Sequence, residues 1–561
     1  MKSITCSILA TALTAAAQGI GLVTDDFPIV DLGYARHAPT KINQTTLNKI
    51  SYATYSNIRF AQPPVGALRF RKPKVPPPYA EGVQDGVMSQ NETNCIQSVP
   101  GYFTSLPGLN GTSWGQEDCL FLDVIVPEGV KQGSSVPVLH WIYGGGFFFG
   151  AKDTGGNPAA LLNRMTAGDK FVIVASNYRL GVLGWSAVEG ESGIDANAGL
   201  YDSQAALEWT RDNVHRFGGD SNQITVMGQS AGSGIIEHLL AATREGQRPS
   251  FQQAILSSPG YRPHVNRSVE TLGLWRELLN QTNCTDFDCV QKIPESAIAE
   301  ANRYHYLEAP SGGFPGSSIS YGPVIDGGLV KDLPERVLQQ ISQSSPAPPS
   351  YVKRVIAGGM MNDGAASTIG DFTSWAEQIS VFARTPSNST ISTIESLYGA
   401  FNVSKSSFRD DGFVEMTPFD TFSGDVIFAC HSHFAAEAFA ANRPSGHWPG
   451  LDSGSYRYEM SIQPAVHGQD ISYYFFDEIV ANLNPTVEES VATDLQQKFR
   501  DFILGREMEG WPESTSSGGN ARAWLNITAD GLVAVEQADG GDRRRKCREI
   551  VSLYGNEADG W

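Results

Sequence analysis

The chain has 561 residues, of which 41% are hydrophobic and 18% charged, a composition typical of a globular protein. Its 41 lysines and arginines are outnumbered by 60 aspartates and glutamates, which gives a formal net charge of -19. Nucleic acids are bound mainly through cationic surface, so this charge argues against a nucleic-acid partner. The length allows several domains of average size or one large α/β domain with insertions.

The first residues have the pattern of a secretory signal peptide. Lys2 precedes an apolar run, 4–17, that is too short to span a bilayer and ends in small residues. We therefore predict a signal peptide over 1–17 and a mature protein over 18–561. The polar segment 555–561 lacks the hydrophobic tail of a lipid-anchor signal, so we expect a secreted, extracellular protein without a membrane anchor.

Cysteines and glycosylation sequons agree with passage through a secretory pathway. Loss of Cys6 with the signal peptide leaves six of the seven cysteines, and six cysteines allow 15 different sets of three disulfides. These six are Cys95, Cys119, Cys284, Cys289, Cys430 and Cys547. The candidate glycosylation sites in Asn-x-Ser/Thr sequons are Asn43, Asn91, Asn110, Asn266, Asn280, Asn283, Asn388, Asn402 and Asn526.

Short apolar runs alternate with amphipathic helices along the chain. Strands are predicted at Val136–Ile142, Phe171–Ser176, Gln223–Gly228, Gln252–Ser257, Tyr351–Gly358 and Ser455–Ile462. Helices are predicted at Tyr201–Arg216 and Ala231–Ala242. This alternation is typical of an α/β fold with a mostly parallel sheet covered on both faces. The Gly/Pro/Ser-rich stretches 308–323 and 342–350 are expected to be surface loops, and the basic run 543–546 a solvated turn.

The clearest chemical motif is the Gly-x-Ser-x-Gly pentapeptide Gly228–Gly232, which lies between a predicted strand and a predicted helix. Small residues at both ends let the chain turn sharply, so that the hydroxyl of Ser230 projects from the edge of the sheet near a helix N-terminus. A glycine-rich turn with a capping serine has the same pentapeptide. The flanking strand and helix favour the nucleophile.

Longer stretches around this motif resemble the type-B carboxylesterase/lipase family, which includes cholinesterases and secreted fungal esterases and lipases. The resemblance lies in FGGDSNQITVMGQSAG at 217–232, EDCLFLDV at 117–124 and the N-terminal segment 53–73, and it extends over about 25–555. It implies the α/β-hydrolase fold, with a mostly parallel central sheet, helices on both faces and cap insertions. One such domain is then expected over 18–561.

The resemblance also implies specific pairings between distant side chains. The implied disulfides are Cys95–Cys119, Cys284–Cys289 and Cys430–Cys547. The implied buried ion pairs are Arg59 with Glu117 and Arg179 with Asp202.

A glycine-rich segment, Tyr143–Phe147, follows an apolar strand and predicts an oxyanion hole. Backbone N–H groups must approach the carbonyl oxygen of the substrate without a Cβ in the way, and glycine permits this approach. By resemblance, the donors are the N–H groups of Gly145, Gly146 and Ala231. A plain turn or a phosphate-binding loop also contains glycines, but no Lys-Ser/Thr follows here.

His467 is the predicted general base, because α/β hydrolases order their triad as serine, acid, histidine and its surroundings resemble the His-Gly motif of the family. Asp363, after the predicted strand 351–358, is the predicted acid. The family usually has Glu there, and the shorter Asp requires the backbone to lie slightly closer to the imidazole. Asp326 is the alternative acid.

No metal or other cofactor is expected. His431 and His433 form an i, i+2 pair on a predicted helix, but no third ligand is evident in the sequence.

The substrate pocket is predicted from aromatic residues near the oxyanion segment. The candidates are Phe147, Phe148, Phe149, Trp185 and Gln229. Core packing around the oxyanion segment explains the four aromatic residues equally well. Gln229 stands where choline-ester hydrolases of the family have Glu, and Trp114 is not placed like their cation-binding tryptophan, so a cation–π site lacks support.

These residues together predict a serine carboxylic-ester hydrolase acting through an acyl-enzyme on short-chain or aromatic esters, with the ester and water as its only partners. The loop of 23 residues between Cys95 and Cys119 is shorter than the lid of lipases in this family, which favours soluble substrates. The alternatives are a lipase or sterol esterase and a catalytically silent adhesion or binding homologue. The oligomeric state stays open.

Overall fold

The computed structural model describes residues 22–99, 111–154, 156–166, 168–244, 248–308, 321–343, 351–366, 372–401, 407–409, 412–440, 454–514, 522–537, 541–554, 556 and 559. The predicted signal peptide, most of the two predicted surface loops and the sequons at Asn110 and Asn402 lie outside these residues.

An 11-stranded sheet is the centre of the fold. Its strands in chain order are β1 (Lys41–Gln44), β2 (Ser51–Arg59), β3 (Phe121–Pro127), β4 (Val136–Ile142), β5 (Val172–Ser176), β6 (Gly219–Gln229), β7 (Gln253–Ser257), β8 (Arg354–Met360), β9 (Gly454–Met460), β10 (Arg522–Thr528) and β11 (Gly531–Gln537). Their order across the sheet is β1-β2-β3-β5-β4-β6-β7-β8-β9-β10-β11. Strands β4 to β10 are parallel to one another, and β1, β2, β3 and β11 add antiparallel pairs at the two sides.

The central strands are continuous apolar runs because the sheet is buried on both faces there. Every residue of β5 and of β7 is buried. The prediction for Val136–Ile142 agrees with β4 residue for residue, and the other five predicted strands differ from β5 to β9 by up to four residues at an end. The predicted mostly parallel α/β sheet is therefore confirmed.

Helices fill the connections between the strands. They are α1 (Gly181–Trp185), α2 (Ala198–Asn213), α3 (Ala231–Arg244), α4 (Ser268–Thr282), α5 (Phe287–Lys292), α6 (Glu295–Leu307), α7 (Pro334–Gln343), α8 (Trp375–Ile379), α9 (Asn388–Tyr398), α10 (Pro418–Gly424), α11 (Cys430–Ala440), α12 (Ile471–Tyr474), α13 (Glu478–Leu483), α14 (Glu489–Ile503) and α15 (Gly541–Leu553). Helix α3 packs on β6 and β7, and α11 packs on β8 and β9. A π-helical turn, Asp425–Ala429, joins α10 to α11.

Smaller elements lie outside the main sheet. Short strands pair at Val30–Asp31, Arg36–His37 and Val83–Gln84, at Gln97–Val99 and Thr112–Trp114, and at Ser407–Phe408 and Val414–Glu415. Short 3₁₀ helices occur at Gly66–Leu68, Gln90–Glu92, Pro158–Arg164, Val214–Phe217 and Asp363–Ala366.

The cross-links match the implied pairings with one exception. The three disulfides are Cys95–Cys119, Cys284–Cys289 and Cys430–Cys547, and Arg179 forms a buried ion pair with Asp202. The implied pair of Arg59 with Glu117 is wrong. Arg69 pairs with Glu117, while Arg59 pairs with the neighbouring Asp118. Glu117 and Asp118 are adjacent and both arginines lie near them, so the sequence alone does not define which acid each arginine contacts.

The basic run 543–546 is not the predicted solvated turn, because it lies in α15. Arg543 forms ion pairs with Asp425 and Glu459, and Arg544 with Glu437. The nearest of these acids in sequence is 84 residues away from its arginine, so the local charge pattern gave no sign of them.

Candidate active site

Ser230 occupies a sharp turn between the end of β6 and the start of α3. Its backbone has φ of 54°, in the left-handed region that non-glycine residues seldom adopt. A Cβ at Gly232 would lie 2.2 Å from the carbonyl oxygen of Ile142 on β4, so only glycine fits at this end of the pentapeptide. The turn holds the Ser230 side chain beyond the C-terminal edge of the parallel strands.

Segments that follow neighbouring parallel strands meet at this edge of the sheet. They contain Gly145 after β4, Ser230 after β6, Ser258 after β7, Asp363 after β8 and His467 after β9. Residues that are up to 322 positions apart in sequence therefore lie together. The structure thus brings the predicted nucleophile, base and acid into one site.

Ser230, His467 and Asp363 form a continuous hydrogen-bonded row. Oγ of Ser230 lies 2.8 Å from Nε2 of His467, and Nδ1 of His467 lies 2.8 Å from Oδ1 of Asp363. When Nδ1 holds the proton that Asp363 accepts, Nε2 is left to accept the proton of the serine hydroxyl. The ring of Phe428 stacks on the imidazole with centroids 4.2 Å apart and limits its movement.

The carboxylate of Asp363 is held by three further hydrogen bonds. Oγ of Ser258 lies 3.0 Å from both of its oxygens, and the N–H of Met360 donates to Oδ2 at 2.9 Å. Donors to a carboxylate favour its charged form and fix its orientation. Sequence analysis missed Ser258, although its position directly after a strand beside β8 was a usable signal.

The alternative acid, Asp326, lies elsewhere in the structure. Its carboxylate accepts hydrogen bonds from Tyr201, Asn197 and the backbone N–H groups of Gly328 and Val330. These bonds hold a loop closed, and it is Asp363 that contacts His467.

The glycine-rich segment takes a conformation that needs glycine. Gly145 has φ of 115°, and a Cβ there would lie 2.1 Å from the carbonyl oxygen of Phe149. Within the described part of the chain, the N–H groups of Gly145 and Gly146 donate to no acceptor. Ala231 is the first residue of α3, where an N–H has no partner inside the helix. Donors at these positions are available to a ligand oxygen next to Ser230.

A small cavity opens beside Ser230. It is lined by Gly146, Phe147, Ser230, Gly260, Tyr261, Arg262, Arg267, Tyr321, Gly322, Ile427 and Phe428. Of the predicted pocket residues, Phe147 is part of this lining. The lining residues that sequence analysis missed come from three segments far apart in the chain, 260–267, 321–322 and 427–428, which no local pattern brings together.

The remaining predicted pocket residues lie behind or beside the cavity. Phe148 and Trp185 are each 1% exposed, with Trp185 packed on Phe147 and Phe148 stacked on Tyr306. Phe148 and Trp185 are therefore part of the core packing and do not line the cavity. Phe149 packs against Phe148, and Nε2 of Gln229 lies 3.4 Å from Nε2 of His467.

A second cluster of a histidine and carboxylates is fully buried against the ring of Tyr261, which stacks on His431, and it consists of His431, Glu237 and Glu335. Nδ1 of His431 lies 3.9 Å from Glu237 and 3.8 Å from Glu335. Burial lowers the pKa of His431 to about 3 and raises the pKa of Glu335 to about 7. Burial and the neighbouring Glu335 raise the pKa of Glu237 well above its ordinary value.

His433, the other histidine of the predicted i, i+2 pair, points to a different neighbour. A guanidinium nitrogen of Arg457 lies 3.1 Å from its Nε2. Among the described residues, no group of three His, Cys, Asp or Glu side chains is arranged to hold a metal ion. The described helices also include none long and apolar enough to cross a membrane.

The sheet order, the strained turn at Ser230 and the position of the site beyond the parallel strands define an α/β-hydrolase. The model of the carboxylesterase family matches residues 40–531, and the chain belongs to that family. It is therefore a carboxylic ester hydrolase.

Known relatives agree with this assignment. Carboxylesterase patB of Aspergillus clavatus is 30% identical over 555 residues, which cover 91% of this chain and 93% of the relative. Carboxylesterase patB of Penicillium expansum is 29% identical over 532 residues, covering 86% of this chain and 88% of the relative. Among solved structures, Aspergillus niger EstA has the same fold, with a TM-score of 0.73 at 22% identity over 94% of this chain and 98% of that structure.

Proposed function

We propose that this protein is a secreted serine esterase that hydrolyses short-chain or aromatic carboxylic esters through an acyl-enzyme. The observation that supports this most directly is the hydrogen-bonded row of Ser230, His467 and Asp363 beside a cavity. The N–H groups of Gly145 and Gly146 donate to no acceptor within the described part of the chain, and Gly146 lines the same cavity, which supports an oxyanion hole there.

In the proposed mechanism, Oγ of Ser230 attacks the ester carbonyl carbon while Nε2 of His467 takes the serine proton. The oxyanion that forms accepts hydrogen bonds from Gly145, Gly146 and Ala231. The alcohol then leaves with the proton from His467. Water attacks the acyl-enzyme with His467 as base, which releases the carboxylic acid and restores the serine.

The proposed preference for small esters rests on the size of the cavity and the short Cys95–Cys119 loop. The rate is expected to peak at acyl chains of about C2 to C6 and fall by C12, because each further methylene left in water forgoes about 0.8 kcal/mol of burial energy. A p-nitrophenyl ester series from C2 to C16 tests this. A maximum at long chains with a jump in rate at the solubility limit would identify a lipase instead.

Secretion and the single domain over 18–561 are part of the proposal. The three disulfides support an oxidising compartment, and the one sheet built from strands between Lys41 and Gln537 supports one domain. Expression in a fungal host followed by N-terminal sequencing of the protein in the medium tests cleavage after Ala17.

The serine mechanism is tested by covalent labelling. A fluorophosphonate is expected to label Ser230 with a stoichiometry of about one, because only an activated serine reacts rapidly. The variant Ser230→Ala should not be labelled, while Ser552→Ala, at an exposed serine of α15, should react like the wild type. A label on any other serine would contradict the assignment.

A further inference from the structure

Two arginines, Arg262 and Arg267, line the cavity beside Ser230. No aspartate or glutamate is among the described residues of that lining. A guanidinium in the lining of the cavity that contains Ser230 attracts negative charge on a ligand.

The arginines are fixed to the site by the segment that follows β7. Gly260 donates its N–H to the carbonyl oxygen of Ser230 at 3.0 Å, and Tyr261 donates its N–H to Ile427, another residue of the cavity lining. Arg267 ends this segment and precedes the first residue of α4. Its Nη1 donates a hydrogen bond to the carbonyl oxygen of Pro323 at 3.3 Å. The segment that carries Arg262 and Arg267 is therefore built into the cavity wall.

The local field of this segment is positive. Arg267 is only 7% exposed, and burial lowers its pKa to about 10, so it stays charged at neutral pH. His264 lies between the two arginines in sequence, and burial together with their charges lowers its pKa well below the ordinary value. Glu270, one turn into α4, is the acid that acts on Arg267, and it is not part of the lining.

The geometry points to a preference, within the proposed esterase function on which this inference rests, for esters that contain a second, anionic carboxylate, such as half-esters of short dicarboxylic acids. Guanidinium groups bind carboxylates through charge-assisted hydrogen bonds. The apolar walls formed by Phe147 and Phe428 fit the few methylenes between ester and carboxylate. Cationic esters are disfavoured by the same charges.

Three ethyl esters with the same three-methylene spacer test the preference: monoethyl glutarate (anionic), ethyl glutaramate (neutral) and ethyl 4-(trimethylammonio)butanoate (cationic). We expect kcat/KM, from released ethanol, to be about 10- to 100-fold higher for the half-ester than for the amide, the range of one hydrogen bond to a charged group. The cationic ester should be slowest. Added NaCl should reduce the ratio, since salt screens the attraction.

Arginine variants locate the effect. Arg262→Gln should lower the half-ester/amide ratio about tenfold, and Arg262→Lys should retain part of it because the charge remains while the planar fork is lost. Arg303→Gln, at a cation of α6 that pairs with Glu300 and Glu308, is the matched control and should keep the wild-type ratio. Arg262 is only half-buried, so its variants test the idea even where Arg267→Gln fails to fold.

The inference and the esterase proposal fail in different ways. Normal fluorophosphonate labelling of Ser230 with equal kcat/KM for half-ester and amide, or with no turnover of any of the three, overturns the inference alone. A ratio unchanged in folded Arg262→Gln also overturns it. Loss of labelling together with loss of all hydrolysis overturns the esterase proposal.

Discussion

Two histidines of this protein lie next to carboxylates, and the two arrangements differ in almost every physical respect. His467 is 2.8 Å from Asp363 and its side chain is 21% exposed, whereas His431 is fully buried and 3.8 Å or more from Glu237 and Glu335. The first pair is hydrogen-bonded and borders a cavity. In the second arrangement the histidine and the carboxylates are too distant for a hydrogen bond, and all three side chains are fully buried.

The difference shows what a carboxylate beside a histidine needs before it can assist proton transfer. Asp363 has three hydrogen bonds besides that of His467, which offset the cost of burying its charge. Burial raises the pKa of Glu237, with the neighbouring Glu335 adding to the rise, and burial lowers the pKa of His431. Burial thus favours the neutral forms of the cluster, with Glu335 ionising only near pH 7, and proximity alone does not make a base.

The largest effect is expected where the hydrogen-bonded row is broken. His467→Gln should lower kcat by about 10⁴-fold or more, because no group remains to accept the serine proton. His431→Gln should leave kcat within about tenfold, since His431 contacts no reacting atom in the proposed mechanism. Steady-state kinetics on p-nitrophenyl butyrate, with thermal melts to verify folding, measures both. Equal losses of kcat in the two variants would contradict the assignment of His467 alone as the base.

Asp363→Asn should lower kcat by about 10⁴-fold, because the amide favours the wrong imidazole tautomer. Asp326→Asn is the matched control, since Asp326 was the alternative acid and accepts hydrogen bonds from Asn197, Tyr201, Gly328 and Val330. It is expected to reduce stability more than kcat. The opposite order of the two kcat values would move the acid to Asp326.

Ser258→Ala should have a smaller effect, a loss in kcat of about tenfold. It removes the hydroxyl that bonds both oxygens of Asp363, and a hydrogen bond to a charged group is worth about 1.5–3 kcal/mol. KM should change little, and Ser258→Thr, which keeps a hydroxyl, should restore part of the rate. An unchanged kcat in Ser258→Ala would mean that the remaining bonds hold Asp363 without it.

A change in the buried cluster around His431 should alter the thermal stability of the protein and leave its rate of ester hydrolysis unchanged. The pKa of Glu335 rises from its ordinary 4.5 to about 7 on folding, so the folded state binds a proton more tightly than the unfolded state. Its contribution to the free energy of unfolding is therefore greatest below pH 4.5 and is lost as the pH rises to about 7. Glu335→Gln should raise Tm relative to the wild type by about 2–4 °C at pH 8 and less at pH 5.

Scanning calorimetry across this pH range measures the difference. Glu300→Gln, at an exposed acid of α6, is the control and should give no such trend. A Tm difference for Glu335→Gln that is independent of pH would show that Glu335 has the same protonation state throughout.

The sequence was sufficient for the sheet and for grouping Ser230, Asp363 and His467, because each of these follows a predicted strand and the family resemblance supplies the order of the triad. It was insufficient where the outcome depends on the direction of side chains. Arg59 pairs with Asp118, whereas the adjacent Glu117 pairs with Arg69. Phe148 and Trp185 are buried in the core, while Phe147 lines the cavity. Arg262 and Arg267 were missed because no local motif marks the segment that follows β7 as part of a site.

The tie between α11 and α15 has a consequence for the order of events during synthesis. Phe428, which stacks on His467, lies two residues before Cys430, and Cys430 is bonded to Cys547. The ion pair of Arg543 with Asp425 holds the same π-helical turn. Both anchors emerge from the ribosome 76 or more residues after His467. A growing chain that already contains Ser230, Asp363 and His467 therefore still lacks both anchors of the segment that carries Phe428. We expect the imidazole to be held in its final position only after α15 has been made.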